Sequence, residues 1–241
     1  MTTLVLVHGG WGGGWCWRDA SRILRAEGHE VYAPTLTGVA ERAHVPPQSV
    51  TLSTHIADIA GLLAFEDLRD VVLVGHSYGG MVITGAADRE PDRVAGMIYF
   101  DAFLPANGQS LWDLAPDATS KGHRQSAEAH DGGLSVPAPV SPRTPLAPGV
   151  NDFAPYTPQP IETLSEPWHS VRKEQIWPSR HYLLCTAYAK DMNSPFHKIA
   201  AGLRGRMDWT MSELDAFHDV LYAQPERTAA AIGDALRSMN S

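Results

Sequence analysis

Val71-Val72-Leu73-Val74-Gly75-His76-Ser77-Tyr78-Gly79-Gly80 is the stretch on which the reading of the chain turns. Four apolar, mostly β-branched residues predict a short buried strand, and Gly-His-Ser-Tyr-Gly then fits a G-x-S-x-G turn into a helix. So sharp a reversal strains the backbone at its tip and admits only small neighbours, a demand that Gly75 and Gly79 meet. The new helix is expected to start at Ser77, with its amide dipoles aimed at the serine. A lone G-x-S-x-G arises by chance in Gly-rich loops. Here a strand precedes it and Met81-Val82-Ile83 opens a helix after it, the two flanks the motif requires.

Outward from that turn, strand and helix patterns alternate. Leu4-Val5-Leu6-Val7 is a second apolar run, ending in His8-Gly9-Gly10-Trp11-Gly12-Gly13-Gly14-Trp15. Glycines so dense after a buried strand mean that backbone must approach something closely. The acidic partner of a dinucleotide loop and the G-K-[ST] of a phosphate loop are both missing. Residues 17–27 and 51–65 carry helical spacing, Glu30 to Ala33 a strand, and Val94 to Phe100 a strand that ends on Asp101. Later come a strand at His181 to Thr186, a helix at Pro195 to Leu203, a strand at Asp208 to Leu214, a loop through His218, and a last helix from Pro225. Such alternation predicts a mostly parallel sheet covered by helices on both faces.

Between Pro105 and Pro178 the periodicity fades, and 12 of the 18 prolines fall there. That density predicts an irregular lid or cap over 105–178, inserted in a single domain built from 1–104 and 179–241. Trp112, Trp168 and Trp177 in the insertion, with Trp11, are candidates to line a pocket. The same stretch offers a homodimer contact. His55 is expected at the surface or as a cap, and His123, His130 and His169 facing solvent.

The 241 residues suit one core, and 44% hydrophobic content fills it. A net charge of -8 without any Lys/Arg run excludes a nucleic-acid surface. No apolar run approaches membrane-spanning length and the first strand begins within three residues of Met1, so a cytoplasmic protein without a signal peptide is expected. Cys16 and Cys185 read as buried free thiols, and no spacing suggests a metal site or a cofactor.

A serine hydroxyl needs a base within hydrogen-bond reach, and the base needs an acid. His76 diverges from its neighbour Ser77 and supports the turn, and His8 braces the glycine loop. His218 alone lies in a loop after the last strand, at the carboxyl edge of the sheet. For the acid, Asp101 and Asp191 both follow strands, and either keeps the chain order serine, acid, histidine. Asp219, next to the histidine, would have to fold back onto its own neighbour.

The landmarks His8-Gly9-Gly10-Trp11, Gly75 to Gly80 and His218, in that order, resemble the α/β-hydrolase superfamily, within it the small esterase and hydroxynitrile lyase group. The resemblance implies Ser77 as nucleophile, His218 as base, and an oxyanion hole from the backbone N–H groups of Gly10 and Tyr78, about 3 kcal/mol each. Relatives usually carry the acid after the strand equivalent to Tyr182–Thr186, in a Cys-Thr-Glu-Asp stretch. Here that stretch reads Cys185-Thr186-Ala187-Tyr188, and Asp101 stands where those relatives have a small residue, so a relocated acid at Asp101 is expected, with Asp191 the alternative. The implied reaction is hydrolysis of a small, aromatic or apolar carboxylic ester, or a carbamate or amide, by water. Lyases of the group carry Thr after the first His and Lys after the catalytic one, where this chain has Gly9 and Asp219. A third reading keeps fold and triad in a slow-hydrolysing ligand receptor.

Overall fold

The computed structural model describes residues 1–138, 156–174, 176–187 and 194–239. The first half alternates β1 (Thr3–Val7), α1 (Arg18–Ala26), β2 (Glu30–Tyr32), α2 (Leu52–Phe65), β3 (Val71–His76), α3 (Gly79–Arg89) and β4 (Val94–Phe100). Then come α4 (Leu111–Leu114), α5 (Asp117–Asp131), β5 (Ser135–Val136), β6 (Gln159–Pro160) and α6 (Glu162–Ser165). The chain finishes with β7 (Ser179–Cys185), α7 (Pro195–Leu203), β8 (Thr210–Leu214), α8 (Val220–Ala223) and α9 (Pro225–Met239).

Among the described residues the main sheet has six strands in the order β2-β1-β3-β4-β7-β8. All five pairings are parallel. The apolar runs are explained by burial on both faces. Within β1 and β3, Val5, Val7, Val71 and Leu73 face the core under α2 and α3. Their neighbours Leu4, Leu6, Val72 and Val74 face the opposite core, under α1 and α9. A residue of these two apolar runs therefore has no solvent side, and the alternation of a half-exposed strand is lost there.

Helix boundaries follow local chemistry. Thr51 caps α2, its hydroxyl accepting from Thr54 N–H at 3.3 Å while Thr54 Oγ1 accepts from Thr51 N–H at 3.2 Å. Gly28, at φ +91°, takes up the left-handed turn beyond α1 that a side chain would resist. The helix after the β3 turn starts at Gly79, two residues later than expected, because Ser77 and its turn absorb the reversal.

Two expectations need correction, one on the insertion and one on α2. Proline density does not exclude regular structure there: α5 runs for 15 residues. Pro116 sits at its N-cap, where a missing N–H costs nothing, and Gly132 closes it at φ 72°. The prolines bracket this helix rather than interrupt it. His55 is not at the surface but wholly buried on α2. Its Nε2–H donates to the Thr37 carbonyl at 2.7 Å and its Nδ1 accepts from the Tyr78 hydroxyl at 2.8 Å, so both polar atoms are satisfied inside the core.

Candidate active site

The turn after β3, the end of β4 and the loop after β8 all lie at the carboxyl edge of the parallel sheet, the edge at which sheets of this kind gather their sites. Ser77 leaves β3 with φ 53°, a left-handed conformation for a residue with a Cβ. Three main-chain bonds hold it there. Ser77 N–H donates to Phe100 O at 3.3 Å, and Ser77 O accepts from Gly80 N–H at 3.1 Å and Phe103 N–H at 3.0 Å. Its glycine neighbours answer to close approach. A Cβ on Gly75 would lie 2.6 Å from Gly79 O, and one on Gly79 would lie 2.7 Å from Val7 O. Gly79 thus lets the elbow press directly on the end of β1. Trp11, Ser77 and Asp101 are three of the six non-glycine residues with positive φ among the described residues, at 61°, 53° and 45°. Strain of this kind, about 1–3 kcal/mol each, persists where surrounding structure over-determines it.

His218, in the loop after β8, has its Nδ1 2.6 Å from Asp101 Oδ2. Asp101 is fully buried at the end of β4. Its N–H donates to Leu183 O at 2.7 Å, and its Oδ1 accepts from Cys185 N–H at 3.1 Å. The carboxylate is therefore anchored to the neighbouring strand β7, which leaves Oδ2 for the imidazole. Asp191, the alternative acid, lies outside the described residues.

The His218 ring lies between two others. Phe196 of α7 stacks on it at 4.8 Å and 11°, and His76 packs at 4.4 Å with the planes tilted 37°. His76 Nε2–H donates to the His218 carbonyl at 2.9 Å, so the residue before the serine supports the His218 loop. Burial pulls the His218 pKa down, but the hydrogen bond to Asp101 and the charges of Asp101 and Asp219 outweigh it and leave the pKa raised. With Nδ1–H committed to Asp101, Nε2 of the neutral ring is the basic atom.

The glycine loop after β1 lies against the elbow. A Cβ on Gly9 would be 3.1 Å from Ser77 Cβ, and one on Gly10 would be 3.9 Å from Tyr78 Cβ. Among the described residues, neither Gly10 N–H nor Tyr78 N–H donates to a protein acceptor. Two adjacent amides without partners beside the elbow serine form a place where negative charge can be held. His8 braces this loop: Nδ1–H donates to Gly9 O at 2.7 Å, and Nε2 accepts from Leu36 N–H at 3.1 Å.

The candidate pocket tryptophans fall in two groups. Trp11 donates its indole N–H to Val136 O at 2.9 Å and meets His123 edge-on at 5.6 Å. Trp112 donates to His123 Nδ1 at 3.3 Å and lies under Arg124. His123 is thus half-buried between two indoles rather than solvent-facing, and burial lowers its pKa. Trp168 and Trp177 pack together at 6.2 Å. Trp168 also lines a cavity of about 200 Å³ with Ile56, Gly85 and Asp88, farther along α3 from the serine. Nothing in local sequence marked Phe196 or the His55–Tyr78 bond, because each depends on a partner distant in the chain. Among the described residues no group of three or more His, Cys, Asp or Glu could hold a metal, and no helix is long and apolar enough to cross a membrane.

Burial leaves a pH signature. It drives His8, His55 and His181 from an ordinary 6.5 down to about 4, and His76 well below its usual value. Between about 4 and 6.5 the unfolded chain binds protons that the folded chain refuses. Stability is then fully present above 6.5 and is lost as pH falls through that window, by about 1.4 kcal/mol per pKa unit for each group. Urea midpoints at pH 7, 6 and 5 should decline step by step. A midpoint constant from pH 7 to 5 would contradict neutral burial of these rings.

The elbow serine, the paired imidazole and carboxylate, and the free amides beside them together define a hydrolase of the serine esterase type. Comparison with known proteins agrees. The model of the "Alpha/beta hydrolase family" matches residues 4–231, and the chain belongs to that family. The chain is similar to "Carbendazim hydrolyzing esterase" of Nocardioides sp. (strain SG-4G), 38% identical over 246 residues, 97% of this chain and 100% of that one. "Pyrethroid hydrolase" of Sphingobium wenxiniae is 36% identical over 113 residues, 45% of this chain and 38% of that one. Among solved structures, an extracellular alpha/beta-hydrolase from a Paenibacillus species, described as sharing structural and functional homology with tobacco salicylic acid binding protein 2, superposes with TM-score 0.84. It is 26% identical and matches 98% of this chain and 99% of its own.

Proposed function

We propose that this protein hydrolyses small carboxylic esters, and carbamates of similar size, through an acyl-enzyme on Ser77. The observation that carries the reading is the 2.6 Å contact between His218 and the buried Asp101, on the strand edge from which the elbow serine emerges. Ser77 Oγ attacks the carbonyl carbon and His218 Nε2 takes its proton. The carbonyl oxygen becomes an oxyanion held by Gly10 and Tyr78 N–H. The imidazolium, stabilised by Asp101, then protonates the leaving oxygen or nitrogen as the bond to carbon breaks. Water, deprotonated by the same Nε2, attacks the acyl carbon and frees Ser77.

Carbamates enter the substrate range because the relative that spans the whole chain is named for hydrolysing carbendazim. The described parts of the segment 105–178 are read as belonging to a cap over the site. Trp11 and Trp112, bridged by His123, are read as its apolar wall. A cyanohydrin-cleaving lyase is disfavoured by Gly9 and Asp219, which replace the Thr and Lys of that group.

Turnover of p-nitrophenyl acetate and of a matched aryl methylcarbamate tests this reading. Sustained release of p-nitrophenol over many equivalents of enzyme is expected from the acetate, with slower but continuing release from the carbamate. Release that stops at one equivalent from both substrates would favour a slow-hydrolysing receptor instead. Cyanide release from mandelonitrile above the uncatalysed rate would favour the lyase.

A further inference from the structure

We infer that Gln159 is a positioning residue for the oxyanion loop: through Trp11 it holds the peptide that follows Gly10, so the segment between β4 and β7 completes the catalytic geometry. The inference rests on the reading of Gly10 N–H as an oxyanion donor.

The donor belongs to the Gly9–Gly10 peptide. Its carbonyl end is held from the core, where His8 Nδ1–H bonds to Gly9 O at 2.7 Å. The next peptide carries Trp11 N–H, which donates to Gln159 Oε1 at 2.8 Å. Between the two planes stands only the Cα of Gly10, a soft joint with no side chain to resist rotation. Holding one plane leaves the donor free to swing, whereas holding both aims it.

Trp11 does not hold itself. A bulky residue at φ 61° keeps that conformation only when its surroundings impose it. Its three polar groups all find partners in the insertion: Gln159 for its N–H, Val136 O for its indole N–H at 2.9 Å, and Thr157 N–H for its carbonyl at 3.1 Å. The segment thus grips the residue next to the donor from three sides.

The orientation of the Gln159 amide follows from counting protons. Thr163 Oγ1 donates its one hydrogen to Pro160 O at 2.6 Å, so toward Gln159 it can only accept. Gln159 Nε2 fills that position at 2.6 Å, which turns Oε1 toward Trp11. A flipped amide would set N–H against N–H. Gln159 is 1% exposed, so no solvent competes for either atom. A Cβ on Gly10 would lie 3.9 Å from Oε1, which places the amide oxygen beside the donor residue itself. A neutral amide is tolerable there, whereas a carboxylate would repel the developing oxyanion.

Gln159→Leu, Gln159→Glu and Thr163→Val test the assignment, with kcat and KM measured separately. Affinity for a trifluoromethyl ketone, which forms the tetrahedral adduct, and melting temperature are measured alongside. Removing an oxyanion donor costs about 100- to 1,000-fold, and misaiming one costs less, so Gln159→Leu should lower kcat roughly 10- to 100-fold with KM nearly unchanged. Ketone affinity should fall in proportion. Gln159→Glu keeps the acceptor for Trp11 but adds charge, and should lose more kcat than its melting temperature explains. Thr163→Val frees the amide to flip and should show the same kcat-only pattern at smaller size, which serves if Gln159→Leu does not fold.

Folded Gln159→Glu and Thr163→Val with kcat and ketone affinity within twofold of wild type would overturn the inference. So would losses that appear only as a lower melting temperature. Ser77→Ala in the same assays separates the two levels. If it stays active, the proposed function itself fails. If it is inactive while the Gln159 and Thr163 variants match wild type, only the role of Gln159 fails.

Discussion

Ser77→Ala should lower kcat for ester hydrolysis by about 10⁶-fold, the scale found when the nucleophile of a serine hydrolase is removed, while the fold stays intact. At about 1.4 kcal/mol per factor of ten this is roughly 8 kcal/mol of transition-state stabilisation. No other described group can take over, since the elbow points a single hydroxyl from the strand edge and both cysteines are buried. Burial pushes the Cys16 thiol up to about 12, and it also raises that of Cys185, so neither supplies a thiolate at neutral pH. Loss of the hydroxyl should leave the melting temperature unchanged or higher, because alanine relieves no burial and breaks no main-chain bond of the elbow. The same variant should escape labelling by a fluorophosphonate that marks the wild type. Labelling of Ser77→Ala at the wild-type rate would move the nucleophile elsewhere.

Asp101→Asn is the second large expectation, a fall in kcat of about 10⁴-fold, or roughly 5 kcal/mol. The cause lies in a single proton. Asp101 Oδ1 accepts from Cys185 N–H, so an asparagine oxygen would settle there and its NH₂ would face His218 Nδ1. The imidazole would then have to accept at Nδ1 and carry its proton on Nε2, the atom that must act as base. The pH profile gives an independent sign. On the proposed mechanism activity requires neutral His218, whose pKa the carboxylate holds above its ordinary value, so wild-type activity should fall as pH drops through that raised pKa. Without the carboxylate the imidazolium is less stable and the acid limb should move to lower pH, even as the plateau collapses. An Asp101→Asn variant with wild-type kcat, alongside an inactive Asp191→Asn, would reassign the acid.

The elements of the core were legible because each is a local pattern. Doubly buried strands read as unbroken apolar runs, and helices announce themselves through caps such as Thr51 and stops such as Gly28. The elbow was legible for the same reason, since strand, turn and helix follow one another within a dozen residues. The helix α5 is hidden in a proline count taken over the whole insertion. Pro116 and Pro137 bracket twenty residues without any proline, and it is in that gap that the helix forms. His55 was misplaced because a polar residue on an apolar helix face looks solvent-bound until a buried partner, here Tyr78, is known.

By itself the sequence determined the parallel sheet, the sharp strand-to-helix turn at Ser77 and the short list of groups that could serve it, since backbone periodicity and turn chemistry are set by neighbours in the chain. Only the tertiary structure decided which of those groups meet. Asp101 and His218 are 117 residues apart, and Trp11 and Gln159 are 148. Their contacts depend on strand order, on the register that sets β4 beside β7, and on the path of the loops between. A hydrogen bond needs its partners within a fraction of an ångström. That precision comes from packing over long separations, and no pattern of adjacent residues carries it.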